Sequence, residues 1–399
     1  MKKFLSLFLA VMMLMACASL FASCGDSNSD KLKVGFIFLH DENSTYDNNF
    51  LQAAKQACEE MGVEMVIKKN IPESAACKEA ADDLVAQGCT VIFADSFGHE
   101  DYMIQAAKEH TDVEFCHATG TKAHTEKLDN FHNAFASIYE GRYLAGIAAG
   151  KKLVEMYGDA EGKVADENAV MGYVGAFTYA EVISGYTSFY LGAKSVCPNV
   201  TMKVTFTGSW YDEAKEKLAA ENLIAAGCKL ISQHADSMGA PKACETASIP
   251  NVSYNGSTKE ACPNTFIVSS RIDWAPYFKY MIGQAQKGEK IDADWAGDLK
   301  TGSVVLTEIN ETAAAKGTKE AIETAEKALK DGTLHVFDTA TFTVGGSALT
   351  SYMADVDTDA EFKGDTEVIK DGYFHESEYR SAPYFDIRID GITLLDEAY

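Results

Sequence analysis

Ala81-Asp82-Asp83-Leu84-Val85-Ala86-Gln87-Gly88-Cys89 and Ala220-Glu221-Asn222-Leu223-Ile224-Ala225-Ala226-Gly227-Cys228 are two versions of one pattern. Each is a helix with an apolar face, then a glycine, then a cysteine leading into an apolar run. Glycine at that place fits a left-handed helix cap, a backbone region that residues with a Cβ enter reluctantly. Around the first copy the spacing predicts strands at 32–39, 63–67, 91–94 and 113–117, with helices at 51–61, 75–87 and 102–109. The same order restarts near Ala169, with strands at 170–174, 202–206 and 230–232 and helices at 182–197 and 214–226; Gly35 and Gly172 recur at nearly the same separation as Gly88 and Gly227. Short apolar strands alternating with helices imply βαβ units, parallel sheets and right-handed crossovers. The fold class is therefore α/β: two doubly wound parallel-sheet lobes joined by a hinge.

The expected organisation is an N-terminal α/β lobe over 32–155, a C-terminal α/β lobe over 156–290, and crossover and edge-covering segments over 291–399. Between the copies, 139–150 reads as a helix with small residues on one face, suited to close packing against the first sheet. Beyond 290 the order loosens, with strands at 301–306 and 335–342 and a helix at 313–330. Residues 373–399 are polar with scattered aromatics.

Composition narrows the functional classes. The 399 residues hold 35 Lys+Arg against 59 Asp+Glu, a formal net charge of −24, so a phosphate backbone would be repelled and nucleic acid is not an expected partner. Lys2 and Lys3 precede an apolar run over 4–15, and small residues Ala22 and Ser23 stand before Cys24. At about 12 residues the run is shorter than the roughly 20 a spanning helix needs, so 1–23 reads as a secretory signal. Phe21-Ala22-Ser23-Cys24 has the form of a bacterial lipobox, whose cysteine is acylated, and 24–31 then forms a flexible tether. Leu14-Met15-Ala16-Cys17 fits the same form, and a plain cleaved signal is the simpler alternative. Cys24 is preferred because polar residues follow it. The remaining eight cysteines form no CxxC and no zinc spacing and read as small apolar residues.

No Walker A, GxGxxG after a strand, HExxH or GxSxG occurs, so no phosphate cradle, zinc site, cofactor or catalytic residue is expected. His99-Glu100 and His375-Glu376 read as solvent-facing pairs. The distinctive residues are aromatic, carboxylate and carboxamide side chains just after strand ends, where open α/β sheets bind ligands. They are Asp47, Asn48 and Phe50 after the first strand; Ser96 and Phe97 after the third; then Phe177, Trp210, Asp212, Asp236 and Asn255 in the second lobe. His40, Tyr46, Tyr179, Tyr211 and His234 accompany them. Opposed aromatic faces flanked by hydrogen-bonding groups suit a flat polar heterocycle. Phe50 reads equally as the first core residue of a helix, and Asp212 as a helix N-cap.

Tyr46-Asp47-Asn48-Asn49-Phe50, Phe115-Cys116-His117-Ala118-Thr119-Gly120, Glu140-Gly141-Arg142-Tyr143-Leu144-Ala145-Gly146, Gly172-Tyr173-Val174-Gly175 and Thr207-Gly208-Ser209-Trp210-Tyr211-Asp212 occur in that order. Together they resemble the basic membrane protein family, purine-nucleoside-receptor-like lipoproteins that serve ABC importers, over roughly residues 33–302. The resemblance implies a type I periplasmic-binding-protein-like fold and a purine ring stacked between one aromatic from each lobe, carried over to Phe50 and Trp210. Asp47 matches the first aspartate of the family motif. Asn255 stands where the family places an acidic ribose loop, and Arg271 and Trp274 lie near a family lysine. With those acids absent, a free base such as adenine becomes as fitting as a nucleoside.

The expectation is thus a lipid-anchored, extracytoplasmic receptor that closes on a purine base or nucleoside and delivers it to an ABC permease driven by its ATPase. The membrane is met through the lipid anchor only. Receptors for a sugar or other small polar solute, an exported nucleoside hydrolase, and a sensing domain for a membrane kinase are the rivals.

Overall fold

The computed structural model describes residues 31–357 and 364–399. The signal over 1–23 and the lipidation residue Cys24 lie outside the described residues. The first sheet holds β1 (Lys33–Ile37), β2 (Glu64–Lys68), β3 (Val91–Ala94), β4 (Glu114–Ala118), β5 (Phe131–Ala136) and β11 (Asp294–Gly297), in the spatial order β11-β5-β4-β3-β1-β2. All its pairings are parallel. The second holds β6 (Val170–Gly175), β7 (Thr201–Phe206), β8 (Leu230–His234), β9 (Asn251–Tyr254), β10 (Phe266–Ile272), β12 (Val304–Leu306) and β17 (Ile392–Leu394), in the order β12-β10-β9-β8-β6-β7-β17. Only β12 runs antiparallel to its neighbour there. The strand order reverses direction at β1 in one sheet and at β6 in the other, and those switch points open crevices at the carboxyl ends.

The helices of the first lobe are α1 (Thr45–Met61), α2 (Ala75–Ala86), α3 (Glu100–Glu109) and the single turn α4 (Ala123–Glu126). Then come α5 (Ile138–Tyr157), α6 (Ala180–Lys194), α7 (Glu213–Ala225), α8 (Gly239–Ala247), α9 (Ala275–Lys287) and α10 (Thr318–Asp331). The repeated pattern folds as repeated geometry. Gly88 (φ 86) and Gly227 (φ 92) are both left-handed. The Cys89 N–H returns to the Leu84 carbonyl at 3.0 Å and the Cys228 N–H to that of Leu223 at 3.1 Å. Each cap turns the chain from an outer helix into a buried strand, with Leu84 and Leu223 in the two corresponding cores. Cys58, Cys77, Cys89, Cys116, Cys197, Cys228, Cys244 and Cys262 are all buried free thiols.

Two placements correct the sequence reading. The small-residue helix α5 packs on the second lobe, against α6 and β10, rather than against the first sheet. A Cβ on Gly146 would lie 2.0 Å from the Phe189 carbonyl oxygen, and one on Gly192 2.0 Å from that of Tyr143, so glycines on both helices permit the approach. Arg142 on α5 is fully buried beneath the second sheet, donating to Ser232 Oγ at 2.8 Å and Tyr173 OH at 3.0 Å. Conversely α9, expected within 156–290 and the second lobe, packs on α1 of the first, where Phe278 meets Phe36 edge-on at 5.1 Å. The chain therefore crosses between lobes before α5, before α9 and again between β11 and β12, and three such connections form the hinge.

Beyond α10, residues 335–342 are not a strand; Phe337 stacks on Phe385 at 4.2 Å in a small aromatic core of their own. The ribbons β13–β14 (Met353–Ala354, Thr366–Glu367) and β15–β16 (Ile369–Lys370, Tyr373–Phe374) flank that core. No helix among the described residues is long and apolar enough to cross a membrane.

Candidate ligand-binding site

A narrow, nearly filled cleft with an accessible volume of about 20 Å³ lies between the lobes at the switch points. Every loop reaching it leaves the carboxyl end of a strand: Leu39 and His40 after β1, Ser96 and Phe97 after β3, Thr119 after β4, Trp210 after β7, Asp236 after β8 and Asn255 after β9. Tyr46 and Asp47 come from the first turn of α1, Glu181 from that of α6, and His234 from the end of β8.

The lobes touch across this cleft. The Thr45 N–H donates to the Asp236 carbonyl at 3.0 Å, and the Thr45 hydroxyl to the same oxygen at 3.2 Å. Phe97 approaches Tyr179 at 5.4 Å between centroids, and His40 approaches Tyr211 at 5.5 Å. Trp210 stands on the second-lobe wall with Phe177 edge-on at 5.1 Å and Tyr179 at 6.2 Å. The Trp210 carbonyl accepts the Asp236 N–H at 3.0 Å, which fixes the indole loop to the carboxylate loop.

The electrostatics are acidic and enclosed. Asp47 accepts the His40 N–H at 2.7 Å and the Ser44 hydroxyl at 2.6 Å. Burial works against its charge, but the hydrogen bonds from His40 and Ser44 outweigh it and hold its pKa below the ordinary range. Asp95, immediately before Ser96, accepts the Leu39 N–H at 3.0 Å. Burial first, and then the Asp47 charge, push Asp95 well above the carboxylate range. The same two causes, in the same order, raise Asp236, whose Oδ1 accepts Asn255 Nδ2 at 3.3 Å. His234 is lowered mainly by burial, with Glu181 3.4 Å from its Nε2. Among the described residues no Lys or Arg side chain lines the cleft. Two of its backbone positions are strained: Thr119 and Asn255 both have φ of 64°. For asparagine that is tolerable, whereas β-branched threonine adopts it only where its surroundings impose it.

Of the residues singled out from sequence, Asp47, Ser96, Phe97, Trp210, Asp236 and Asn255 meet here. Phe50 does not. It is fully buried on the inward face of α1, stacked on Trp274 at 4.4 Å and 23° and tilted against Phe93 at 5.6 Å. Trp274, 1% exposed at the start of α9, is likewise interior, so the clamp expected between Phe50 and Trp210 is not formed. Tyr46, one turn earlier on α1, and Phe97 are the first-lobe aromatics in the lining. Asn48 is engaged one turn on, accepting Gln52 Nε2 at 3.1 Å. Phe177 supports Trp210 from the side. Asp212 is the N-cap of α7, accepting the Lys215 N–H at 3.0 Å, and is not part of the lining.

Glu181 and Asp95 carry no binding expectation from sequence, and Thr119 stands there only within the family motif. Asp95 was one residue from a marked position, and Glu181 opens a helix after a strand, which was the signal available for both. The pairs His99-Glu100 and His375-Glu376 are not solvent-facing, since His99, Glu100 and Glu376 are all buried. Asp82, Glu109 and His110 form a surface cluster of metal-ligand type. The Lys78 ammonium already lies between its carboxylates, 2.9 Å from Asp82 and 2.7 Å from Glu109.

Comparison with known proteins bears on this geometry. A family model described as ABC transporter substrate-binding protein PnrA-like matches residues 37–334. A purine-binding protein of Brucella abortus is 32% identical over 317 residues, covering 77% of this chain and 83% of its own. A putative ABC transporter glucose-binding protein of Haloferax volcanii is 32% identical over 248 residues, covering 62% of this chain and 59% of its own. Among solved structures, an ABC transporter solute-binding protein of Aeropyrum pernix superposes with a TM-score of 0.64 at 17% identity, covering 77% of this chain and 93% of that one, and supports the fold alone. The match across both lobes places the chain in the Bmp family of PnrA-like ABC transporter substrate-binding proteins.

Proposed function

We propose that the interlobe cleft captures a purine base or nucleoside and that lobe closure delivers it to the permease of an ABC importer. As an ABC substrate-binding protein the chain works outside the cytoplasm, in a transport family rather than an enzyme family. The observation that carries the purine reading is the pairing of an indole face, Trp210, with carboxylates Asp47 and Asp236 in a cleft lined, among the described residues, by no cationic Lys or Arg. A flat ring stacks on the indole while its N–H groups donate to the acids. A phosphate or carboxylate ligand would face repulsion from the Asp47 charge. The purine-binding relative also matches over more of its own length than the glucose-binding one.

Isothermal titration of the purified protein with adenine, guanine, adenosine, inosine and glucose tests this. Binding of at least one purine and not glucose is expected; binding of glucose alone refutes the reading. Membrane attachment is assigned to acylated Cys24, with 24–31 as tether. Two acyl chains are required for stable anchoring, at about 0.8 kcal/mol per buried CH₂. Cys24→Ala should move the protein to the soluble fraction of cells, and retention on membranes would shift the anchor to Cys17.

A further inference from the structure

We propose that Glu216 is a positioning residue of the site: its carboxylate ties the loop carrying Trp210 to the loop carrying Asp236, so that the stacking face and the hydrogen-bonding group are held as one unit. This deepens the purine reading of the cleft and rests on it. Glu216 is not itself part of the lining, and it acts only through the two loops.

Glu216 stands in the first turns of α7 and is fully buried. Its Oε1 accepts the Asp212 N–H at 3.1 Å, at the end of the loop that leaves β7. The same oxygen accepts the Ser237 N–H at 3.3 Å, in the loop that leaves β8, and Oε2 accepts that N–H at 3.2 Å. Trp210 lies just before the first of these anchors and Asp236 just before the second. The loops meet at one other point, where the Asp236 N–H donates to the Trp210 carbonyl at 3.0 Å. A single hydrogen bond leaves two loops free to pivot about it, and the carboxylate bridge removes that freedom. Close approach of the helices makes the reach possible. A Cβ on Gly239, the first residue of α8, would lie 2.3 Å from the Glu213 carbonyl oxygen of α7.

Neither helix needs this carboxylate in order to start. The Asp212 side chain caps α7 by accepting the Lys215 N–H at 3.0 Å, and Ser237 Oγ accepts the Gly239 N–H at the start of α8 at 3.1 Å. The position is also costly. Burial raises Glu216 to about 7 even though its bonds from Ser237 and Asp212 work the other way. The charged groups around it include Asp212 and Asp236, both acids, while the Lys242 ammonium of α8 is engaged by Glu213 at 2.7 Å. An apolar side chain of the same size would be the more stable occupant of such a place, and acids kept against stability concentrate where a site requires them. What this one supplies is an acceptor shared by two binding loops.

Titration calorimetry of the full chain with adenine and adenosine at about pH 8, where Glu216 is ionised, tests the bridge. Glu216→Met fills the same volume and accepts no hydrogen bond. It should lose roughly fivefold or more in affinity for the purine the wild type binds, while its unliganded Tm stays within about 4 °C or rises. Glu216→Gln, whose amide oxygen can replace Oε1 and accept both N–H groups, should stay within about threefold of the wild type. In the Glu216→Met background Trp210→Ala should cost less than about threefold, because the indole is no longer held for the ring. Unchanged affinity in Glu216→Met, binding by Glu216→Gln as weak as that of Glu216→Met, or an undiminished Trp210→Ala cost in that background each overturns the bridge. A Glu216→Met chain that does not fold, or whose Tm falls further than that, makes the residue a support of the fold and overturns its positioning role as well. Failure of the wild type to bind either purine refutes the purine reading itself, a result separate from any difference among the variants.

Discussion

Removing the Trp210 indole should weaken purine binding while leaving the unliganded fold intact, and removing the Phe50 ring should do the reverse. Trp210 is half-buried at the cleft wall, with Phe177 and Tyr179 as its aromatic neighbours. Base stacking on an aromatic side chain is worth about 1–3 kcal/mol by alanine substitution, which corresponds to roughly a 5- to 150-fold change in Kd. Trp210→Ala should therefore cost about 5- to 150-fold in affinity. Phe50 is fully buried against Trp274, Phe93 and Tyr46. Phe50→Ala should destabilise by about 3–5 kcal/mol through lost burial and a residual cavity, roughly 10 °C in Tm for a lobe of this size. Calorimetry with the tightest purine and thermal unfolding of both unliganded variants measure the two quantities. Unchanged affinity in Trp210→Ala removes the indole from the site. A large affinity loss in Phe50→Ala without a fall in Tm would restore the ring to the ligand and refute its placement in the core.

Two further outcomes follow from the packing and the buried acids. Gly192→Ala places a methyl group 2.0 Å from the Tyr143 carbonyl oxygen, forcing α5 and α6 apart, and should destabilise by about 1–3 kcal/mol or more in urea unfolding; a neutral result would show that the two helices do not pack as described. Burial raises Glu140 and Glu216 to about 7 and Glu376 to about 8, so the folded chain keeps protons there that the unfolded chain has already released. Stability should therefore fall as pH rises from 6.5 to 8, by roughly 3 kcal/mol. His99 and His117, held near 4 by burial, add stability chiefly as pH rises from about 4 to 6.5, and the small remainder above 6.5 only partly offsets the carboxyl loss. Thermal unfolding across the series checks the sign, and a flat or rising Tm between pH 6.5 and 8 contradicts it.

The two lobes were legible because a short code is written twice: a helix, a left-handed glycine and a buried strand, at Gly88 and again at Gly227. The binding loops were legible because strand order places the switch-point crevices, and side chains after β1, β3, β7, β8 and β9 reach them. Phe50 was ambiguous for a physical reason. Its neighbours in sequence suit a loop leading into a helix equally well, and its covering partner, Trp274, arrives on α9 after the chain has passed through the second lobe. The small-residue face of α5 announced close packing but not its partner. That choice depends on α6 offering Gly192 opposite Tyr143 and open backbone at Phe189 and Ala193 opposite Gly146 and Gly150, which only pairing reveals. Asp95 and Glu181 carry no periodic signal, since a lone carboxylate looks the same beside a cleft as on a solvated turn.

Closure and cargo chemistry are coupled through Asp47. After burial, its charge is the largest influence raising both Asp95 in its own lobe and Asp236 in the other. Bringing the lobes together therefore sets acids against one another as water leaves the cleft, and this opposes the closed state. The Thr45 bonds to the Asp236 carbonyl form in that state whatever occupies the cleft, so they stabilise closure without selecting a cargo. Selection needs a ligand that binds the closed form better than the open one. A ring bearing N–H donors does so twice, because it offers partial positive charge where Asp47 and Asp236 converge and a flat face where Trp210 stands. A sugar can supply donors but not the extended π face, and an anion supplies neither. The acidity that makes the empty cleft reluctant to close is thus what makes closure depend on a nitrogen heterocycle.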